Sequence, residues 1–166
     1  VRWGLVPFYA KEAKGGAKMI NARAETVAEK PAYRNALRRH RCLIPADGFY
    51  EWAKVAGHKA KQPFFIHRAD GEPLALAGLW ERWRPKDDPE APWLETCAVI
   101  TCAANGAMAP VHDRMPVLLH EEDYDLWLHG SLEDVMGFQG RCFPDELTVM
   151  ERTQDPWFRA RTPVAS

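Results

Sequence analysis

Short apolar runs alternate with polar, turn-forming segments along most of this chain. Runs of this length, rich in β-branched and aromatic residues, predict strands at residues 41–44, 49–52, 63–67, 74–80, 94–101 and 116–119. Residues 1–6 and 147–152 predict two further strands, and residues 19–23 a short extended segment. Because an Asp-Gly pair favours a tight turn, residues 69–72 are predicted to join two strands as a hairpin.

Helical spacing predicts a few short helices between and after the strands. Pro31 suits a first helical turn, and the helix it opens is predicted to run to about His40. The side of this helix predicted to face the core holds Tyr33, Ala36, Leu37 and His40, and the rest holds Arg34, Arg38 and Arg39. A second helix is predicted at residues 121–128, with acids in its first turn. Ser131 and Asp134 have the spacing of a capping box for a third.

The succession of elements indicates the fold class. Many short strands with few helices predict an α+β domain, with a curved, partly closed mixed β-sheet or barrel at its centre and helices flanking it. The chain has no glycine-rich phosphate loop and no regular βαβ alternation, which argues against a doubly wound nucleotide-binding fold. The polar loop at residues 9–18 and the proline-rich loop at residues 84–92 connect elements. A length of 166 residues suits one domain, predicted to span residues 1–166.

Composition changes this picture little, but the distribution of charge adds to it. With 46% hydrophobic and 27% charged residues, the chain resembles an ordinary soluble globular protein. Its net charge of −1 does not by itself indicate a nucleic-acid-binding protein. Residues 30–41 nevertheless carry bases without an acid, and residues 121–134 carry acids without Lys or Arg. This segregation indicates either one positive face or two solvated helix faces. Without a membrane span or a signal peptide, a cytoplasmic monomer is expected, associated with the nucleoid in a bacterium.

The cysteines do not indicate a metal site. The chain has four cysteines, and none lies in a Cys-x-x-Cys pair. Cys97 and Cys102 are five residues apart on one predicted strand, so their side chains are expected on opposite faces. We therefore predict reduced, mostly buried thiols, with no metal and no cofactor.

Four polar residues stand out as candidates for chemistry, each with a purely structural alternative. Glu51 lies between Tyr50 and Trp52, where aromatic neighbours would desolvate the carboxylate and favour proton transfer; the alternative is an exposed strand glutamate. His112 can act as general acid or base, or serve as a structural loop histidine. Asn21 can bind a substrate hydroxyl or occupy a turn. Arg23 can bind a phosphate or form a surface salt bridge with Glu25.

The motifs that contain these residues resemble, in the same order, those of the SOS-response-associated peptidase (SRAP) family. The resemblance extends over about residues 2–119. It is carried by Trp3-Gly4-Leu5-Val6-Pro7, Asn21-Ala22-Arg23-Ala24-Glu25-Thr26, Ala46-Asp47-Gly48-Phe49-Tyr50-Glu51-Trp52 and His112-Asp113-Arg114-Met115-Pro116. Four co-linear motifs favour the functional interpretation of each candidate over the structural one.

The resemblance implies an enzyme-like DNA-damage protein that binds single-stranded DNA and reacts with abasic sites. The family's nucleophile is a cysteine directly after the initiator methionine, exposed when that methionine is removed by self-processing. Its amine forms a Schiff base with the abasic aldehyde, and its thiol then closes a thiazolidine ring. The family start, Met-Cys-Gly-Arg, is absent, as is a following Asn-x-x-Pro motif. We therefore expect that an N-terminal segment carrying the nucleophile is missing, the alternative being a non-covalent single-stranded DNA-binding module.

The resemblance also assigns roles to individual residues. Glu51 would move protons during Schiff-base formation and assist methionine removal, His112 would protonate the sugar oxygen, and Asn21 would hold the reacting group. The implied DNA-binding residues are Arg23 and Arg114 at flanking phosphates, with Trp3, Phe8, Trp52 and Thr101 lining the channel. Proteolysis of other proteins is a weaker alternative, because no internal serine or cysteine with a paired histidine is evident.

Overall fold

The computed structural model describes residues 1–57, 59–140 and 148–153. Its strands form two sheets. The larger sheet contains β1 (Arg2–Trp3), β2 (Asn21–Arg23), β3 (Arg41–Ala46), β6 (Leu74–Trp83), β7 (Leu94–Ala103), β8 (Arg114–Pro116) and β9 (Leu118–Leu119). The smaller sheet contains β4 (Phe49–Ala53), β5 (Gln62–Arg68) and β10 (Thr148–Arg152). The predicted last strand is therefore described from Thr148 onward. The tail from Thr153 is predicted to be irregular, and of it only Thr153 is described. Residue 147, Cys142 and residues 154–166 lie outside the described residues.

Strand β7 organises the larger sheet. It pairs antiparallel with β6 along one edge and parallel with β1 and β2 along the other. Beyond the region where β6 and β7 pair with each other, the last residues of β7 pair with β8 and the first residues of β6 pair with β9. Between them, the Val117 amide donates to Ile100 O at 2.8 Å, and Val117 O accepts from the Ala77 amide at 2.9 Å. The single strand predicted at residues 116–119 is thus two short strands, because Val117 bonds to both neighbours where they separate.

Three short α-helices, α1 (Arg34–Arg39), α2 (Tyr124–His129) and α3 (Leu132–Met136), are described, with additional 3₁₀ turns. Helix α1 begins three residues later than Pro31, after a run of turns, and residues 121–123 form a 3₁₀ turn before α2. The capping box of α3 is confirmed: Ser131 Oγ accepts from the Asp134 amide at 3.2 Å, and the Asp134 carboxylate accepts from the Ser131 amide at 2.8 Å.

The helices are fastened to the sheet by polar contacts as well as by the core. Arg41 at the start of β3 donates to Leu37 O in α1 at 2.7 Å and to Gly130 O after α2 at 2.5 Å. The Trp127 indole of α2 is buried and donates to Cys42 O at 2.9 Å. Ala36 and Leu37 are buried, which confirms the predicted inner face of α1. These links hold the helices against the larger sheet, where burial of apolar surface supplies the main stabilisation.

Two predicted elements differ from the structure for local reasons. Residues 69–72 do form a turn, with Gly71 at φ 78°, but the flanking strands β5 and β6 belong to different sheets, so no hairpin forms. The strand predicted at residues 1–6 is limited to Arg2–Trp3. It ends at Gly4, whose φ is 115° and where a Cβ would lie 2.4 Å from Gly16 O. Gly4 therefore lets two backbone segments cross at a distance that other residues would prevent.

The α+β class with a mixed central sheet is confirmed. Among the described strands the larger sheet does not close into a barrel, because β3 at one end and β1 at the other do not pair. The loop predicted at residues 84–92 has no regular structure, as expected. Within the described residues, no helix is long and apolar enough to cross a membrane.

Candidate functional site

A cleft of about 490 Å³ opens between the two sheets, and we call it the site cleft. Of the nine predicted site residues, all but Phe8 line it: Trp3, Asn21, Arg23, Glu51, Trp52, Thr101, His112 and Arg114. These residues come from five strands and a loop, which belong to several separate parts of the sequence. The motifs recognised separately along the chain therefore meet at one place.

Strand register places the polar groups of one wall. Asn21 pairs with Val99 and Arg23 with Thr101, so Asn21 and Arg23 lie on the same side of β2. Both are exposed, whereas Ala22 between them is buried. On the other edge of β7, the pairing of Thr101 with Pro116 brings β8 alongside. Asn21 and Arg23 on one edge and residues 112–116 on the other are thus held against the same central strand, β7.

Glu51 lies on the opposite wall, on β4. It pairs with Phe64 and is half-buried rather than exposed, which argues against an ordinary surface glutamate. The neighbouring Tyr50 ring lies 5.0 Å from the Phe65 ring and 6.5 Å from the Trp52 ring, centroid to centroid. Tyr50 and Trp52 line the site cleft together with Glu51, so aromatic side chains share the cleft with the carboxylate.

His112 is held by its own loop in an orientation suited to proton transfer. In the neutral tautomer whose proton is on Nε2, the Nδ1 lone pair of His112 accepts from the Arg114 amide at 3.0 Å. When the ring is protonated, the Nδ1–H has acceptors at 3.2 Å in Arg114 O and the Asp113 carboxylate. The loop thus provides partners for both charge states of the imidazole.

Arg114 is engaged more fully than the sequence suggested. Its guanidinium donates to both Glu25 carboxylate oxygens at 2.6 and 2.9 Å, and to Thr101 O at 2.7 Å. The ion pair holds the pKa of Glu25 below its ordinary value and raises the pKa of Arg114. The salt bridge that the sequence offered as an alternative, Arg23 with Glu25, is not among the ion pairs of the described residues. Arg23 is the exposed cation of the cleft, and Arg114 is a cation shared with a carboxylate.

The aromatic residues among the predicted site residues lie in two different clefts. Trp3 is exposed in the site cleft, and its indole N–H donates to Ile20 O at 2.8 Å, which fixes the ring's orientation. Trp52 is exposed on the opposite wall. Phe8 instead lines another cleft, beside Trp93. Ile20 and Tyr50 also line the site cleft; each adjoins a predicted site residue, but its type alone does not indicate a functional role.

Cys42 and Cys97 are not activated nucleophiles. Burial raises the pKa of Cys42 to about 11, and burial also raises the pKa of Cys97. Both thiols line an apolar cleft beside Trp80, separate from the site cleft. Since the thiolate is the reactive form, these side chains are inert at neutral pH. No cluster of histidine, cysteine or acidic side chains able to hold a metal ion occurs within the described residues.

The fold and the site cleft define an α+β protein in which a carboxylate and an imidazole lie beside cations and exposed aromatic rings. The chain belongs to the SOS response associated peptidase (SRAP) family, which it matches over residues 1–151. The resemblance found in the sequence motifs is thereby confirmed.

Curated relatives and solved structures agree with this assignment. The chain is 44% identical over 154 residues to the abasic site processing protein YoqW of Bacillus subtilis, covering 93% of this chain and 67% of that protein. It is 35% identical over 151 residues to the abasic site processing protein HMCES of Gallus gallus, covering 77% of this chain and 44% of that protein. A crystal structure of a Bacteroides thetaiotaomicron protein superposes with a TM-score of 0.84 at 27% identity, covering 95% of this chain and 69% of that one.

Proposed function

We propose that the site cleft binds single-stranded DNA at an abasic site and supports a covalent reaction with the lesion sugar. The observation that carries the proposal is the convergence of Asn21, Arg23, Glu51, His112 and Arg114 on one cleft. The relatives named above are abasic site processing proteins, which is consistent with this chemistry.

The cleft supplies the groups that single-stranded DNA needs. Arg23 is exposed and positioned to bind a phosphate. Arg114 can bind a second phosphate in addition to the Glu25 carboxylate. The exposed rings of Trp3 and Trp52 offer surfaces on which bases can stack, an interaction worth about 1–3 kcal/mol per base. Cations that follow the backbone and rings that accept bases of any sequence suit a lesion binder without sequence preference.

The proposed reaction uses an N-terminal cysteine from a segment that precedes this chain. The abasic deoxyribose opens to an aldehyde, and the cysteine amine adds to the aldehyde carbon. Loss of water leaves a Schiff base, and the thiol then adds across its C=N bond to close a thiazolidine without releasing any group. The same segment's initiator methionine would first be removed by hydrolysis of its peptide bond.

The residues of this chain move the protons. Glu51 accepts a proton from the attacking amine and returns one to the departing water. Protonated His112 donates its Nε2 proton to the sugar ring oxygen as the ring opens, while its Nδ1–H is held by Arg114 O. Asn21, on the other wall of the cleft, holds the reacting sugar or amine by hydrogen bonds.

The test is to express the whole reading frame that contains this chain and to mix it with single-stranded DNA bearing one abasic site. We expect an adduct that survives denaturing electrophoresis and disappears when the exposed N-terminal cysteine is replaced. Glu51→Gln should slow adduct formation while DNA binding persists, and the exposed Glu29→Gln serves as a matched control. A Glu51→Gln protein that reacts at the wild-type rate would show that Glu51 does not transfer the proton.

The alternative is a non-covalent single-stranded DNA-binding module, and the cations and aromatic rings of the cleft would serve it equally well. Salt-sensitive gel shifts without an adduct, from a protein with a processed N-terminal cysteine, would favour this alternative. In either case Arg23→Ala should weaken binding about fivefold at 0.1 M salt, the loss expected for one phosphate contact. Arg38→Ala removes an equal charge from the exposed face of α1 and is the control.

A further inference from the structure

A second cleft, of about 640 Å³, lies between α1, the end of β6 and the loop at residues 84–93. We call it the loop cleft. It shares no lining residue with the site cleft. Its lining includes the cations Arg39, Arg82, Arg84 and Lys86 and the aromatic rings of Phe8 and Trp93.

The loop cleft presents positive charge to solvent. Its one lining carboxylate, Glu81, is only 4% exposed and lies 3.1 Å from His40 Nδ1 and 3.3 Å from Asn35 Nδ2. The acids of the neighbouring loop, at positions 87, 88 and 90, are exposed but do not line the cleft. In a chain of net charge −1, this cluster of cations is a local feature, and such clusters attract polyanions.

The aromatic part of the loop cleft is held in place. The Trp93 ring is 48% exposed, and the guanidinium carbons of Arg82 and Arg84 lie 4.8 and 4.3 Å from its centroid. Arg84 also donates to Pro89 O within the same loop. The turn that carries Phe8 is tied to β6, because the Trp83 indole donates to Ala10 O at 2.7 Å. A surface positioned before binding loses less conformational entropy when a ligand arrives.

We propose that the loop cleft is a second DNA contact, which binds the phosphate backbone of the strand continuing beyond the abasic site. This inference rests on the proposed function of the site cleft. Four lining cations with exposed rings beside them fit a chain of phosphates that carries bases better than a single small anion. The combination of backbone-tracking cations and stacking rings is the one that proteins use for single strands.

The test compares oligonucleotides of two lengths, each with a stable abasic analogue at its centre. One has about five nucleotides and fills the site cleft alone, and the other has about 25, longer than one single-strand binding site. The double variant Arg39→Ala/Lys86→Ala removes two exposed cations from the loop cleft. The control, Arg34→Ala/Arg38→Ala, removes the same charge from exposed positions of α1 outside either cleft. Thermal melting establishes that every variant is folded.

We expect the loop-cleft variant to bind the long oligonucleotide about 25-fold more weakly at 0.1 M salt, with a salt slope smaller by about 1.4, and the short one as the wild type does. Unchanged affinity for the long oligonucleotide, or a loss matched by the control or by the short oligonucleotide, would overturn the inference. Arg23→Ala separates the two proposals, because it should weaken both lengths. If the loop-cleft variant alone loses affinity, the loop cleft binds DNA and the site cleft does not.

Discussion

The ion pair between Glu25 and Arg114 leads to an unusual prediction: Glu25→Gln should weaken folding and strengthen DNA binding. Glu25 is exposed at 49% of its side chain, and its carboxylate accepts two hydrogen bonds from Arg114. Glutamine keeps the shape but removes the charge. The substitution therefore releases one of the two cations proposed to bind phosphates in the site cleft.

The expected magnitudes follow from the geometry. A bidentate pair is stronger than a simple ion contact, but water screens a half-exposed one, so its loss should cost about 1 kcal/mol. For a chain of this size that is a decrease in Tm of about 2–4 °C. A phosphate that no longer competes with Glu25 for Arg114 should bind up to about fivefold more tightly at 0.1 M salt.

The stability effect should depend on pH with a defined sign. The pKa of Glu25 is below its ordinary value because Arg114 donates to the carboxylate. Its stabilising contribution is therefore fully present above the ordinary carboxylate pKa and is lost as pH falls through the lowered one. The Tm difference between wild type and Glu25→Gln should be largest at neutral pH and vanish in acid.

Thermal melts from neutral to acidic pH, together with fluorescence anisotropy on abasic-analogue DNA, measure both effects. Glu29→Gln, an exposed neighbour in the sequence, should change neither quantity appreciably. If Glu25→Gln binds DNA more weakly than the wild type, Glu25 supports the binding geometry of Arg114 instead of competing with phosphate. The reasoning would then be refuted.

Three other substitutions or measurements test parts of the fold. Gly48→Ala should lower stability by about 1–3 kcal/mol, since its Cβ would lie 2.4 Å from Ile66 O, whereas Gly15→Ala has open space and should not change the Tm. Cys42 should resist alkylation in the folded protein at neutral pH and react increasingly as pH approaches its pKa of about 11; rapid labelling at pH 7 would contradict this. Arg41→Lys should cost about 2 kcal/mol in chemical denaturation, because lysine cannot reproduce the guanidinium's bonds to helix-end carbonyls.

Local features of the chain were enough to predict much of the secondary structure. The alternation of apolar and polar residues located most strands, since side chains on a strand alternate between faces. Helical spacing identified Ala36 and Leu37 as buried, and the spacing of Ser131 and Asp134 identified a helix start that the structure confirms. The motif order indicated the family, because four co-linear motifs are far more specific than any one of them.

What the sequence could not determine was which distant groups become partners. Arg114 and Glu25 are 89 positions apart, and only the packing of β8 and β2 around β7 brings them together. The turn at residues 69–72 was predicted correctly, but the pairing of its flanking strands depends on which neighbours each sheet offers.

The clefts show the same difference between what local sequence features predict and what tertiary contacts decide. The residue types made Glu51 and His112 candidates for proton transfer, and the motif resemblance implied that role. Tertiary structure decided that they share a cleft and that Phe8 lies in another one. Local hydrogen bonds and side-chain directions depend on residues a few positions apart, and periodicity in the sequence reflects this short range. A cleft forms where several elements meet, and their meeting depends on burial and strand pairing across the whole chain.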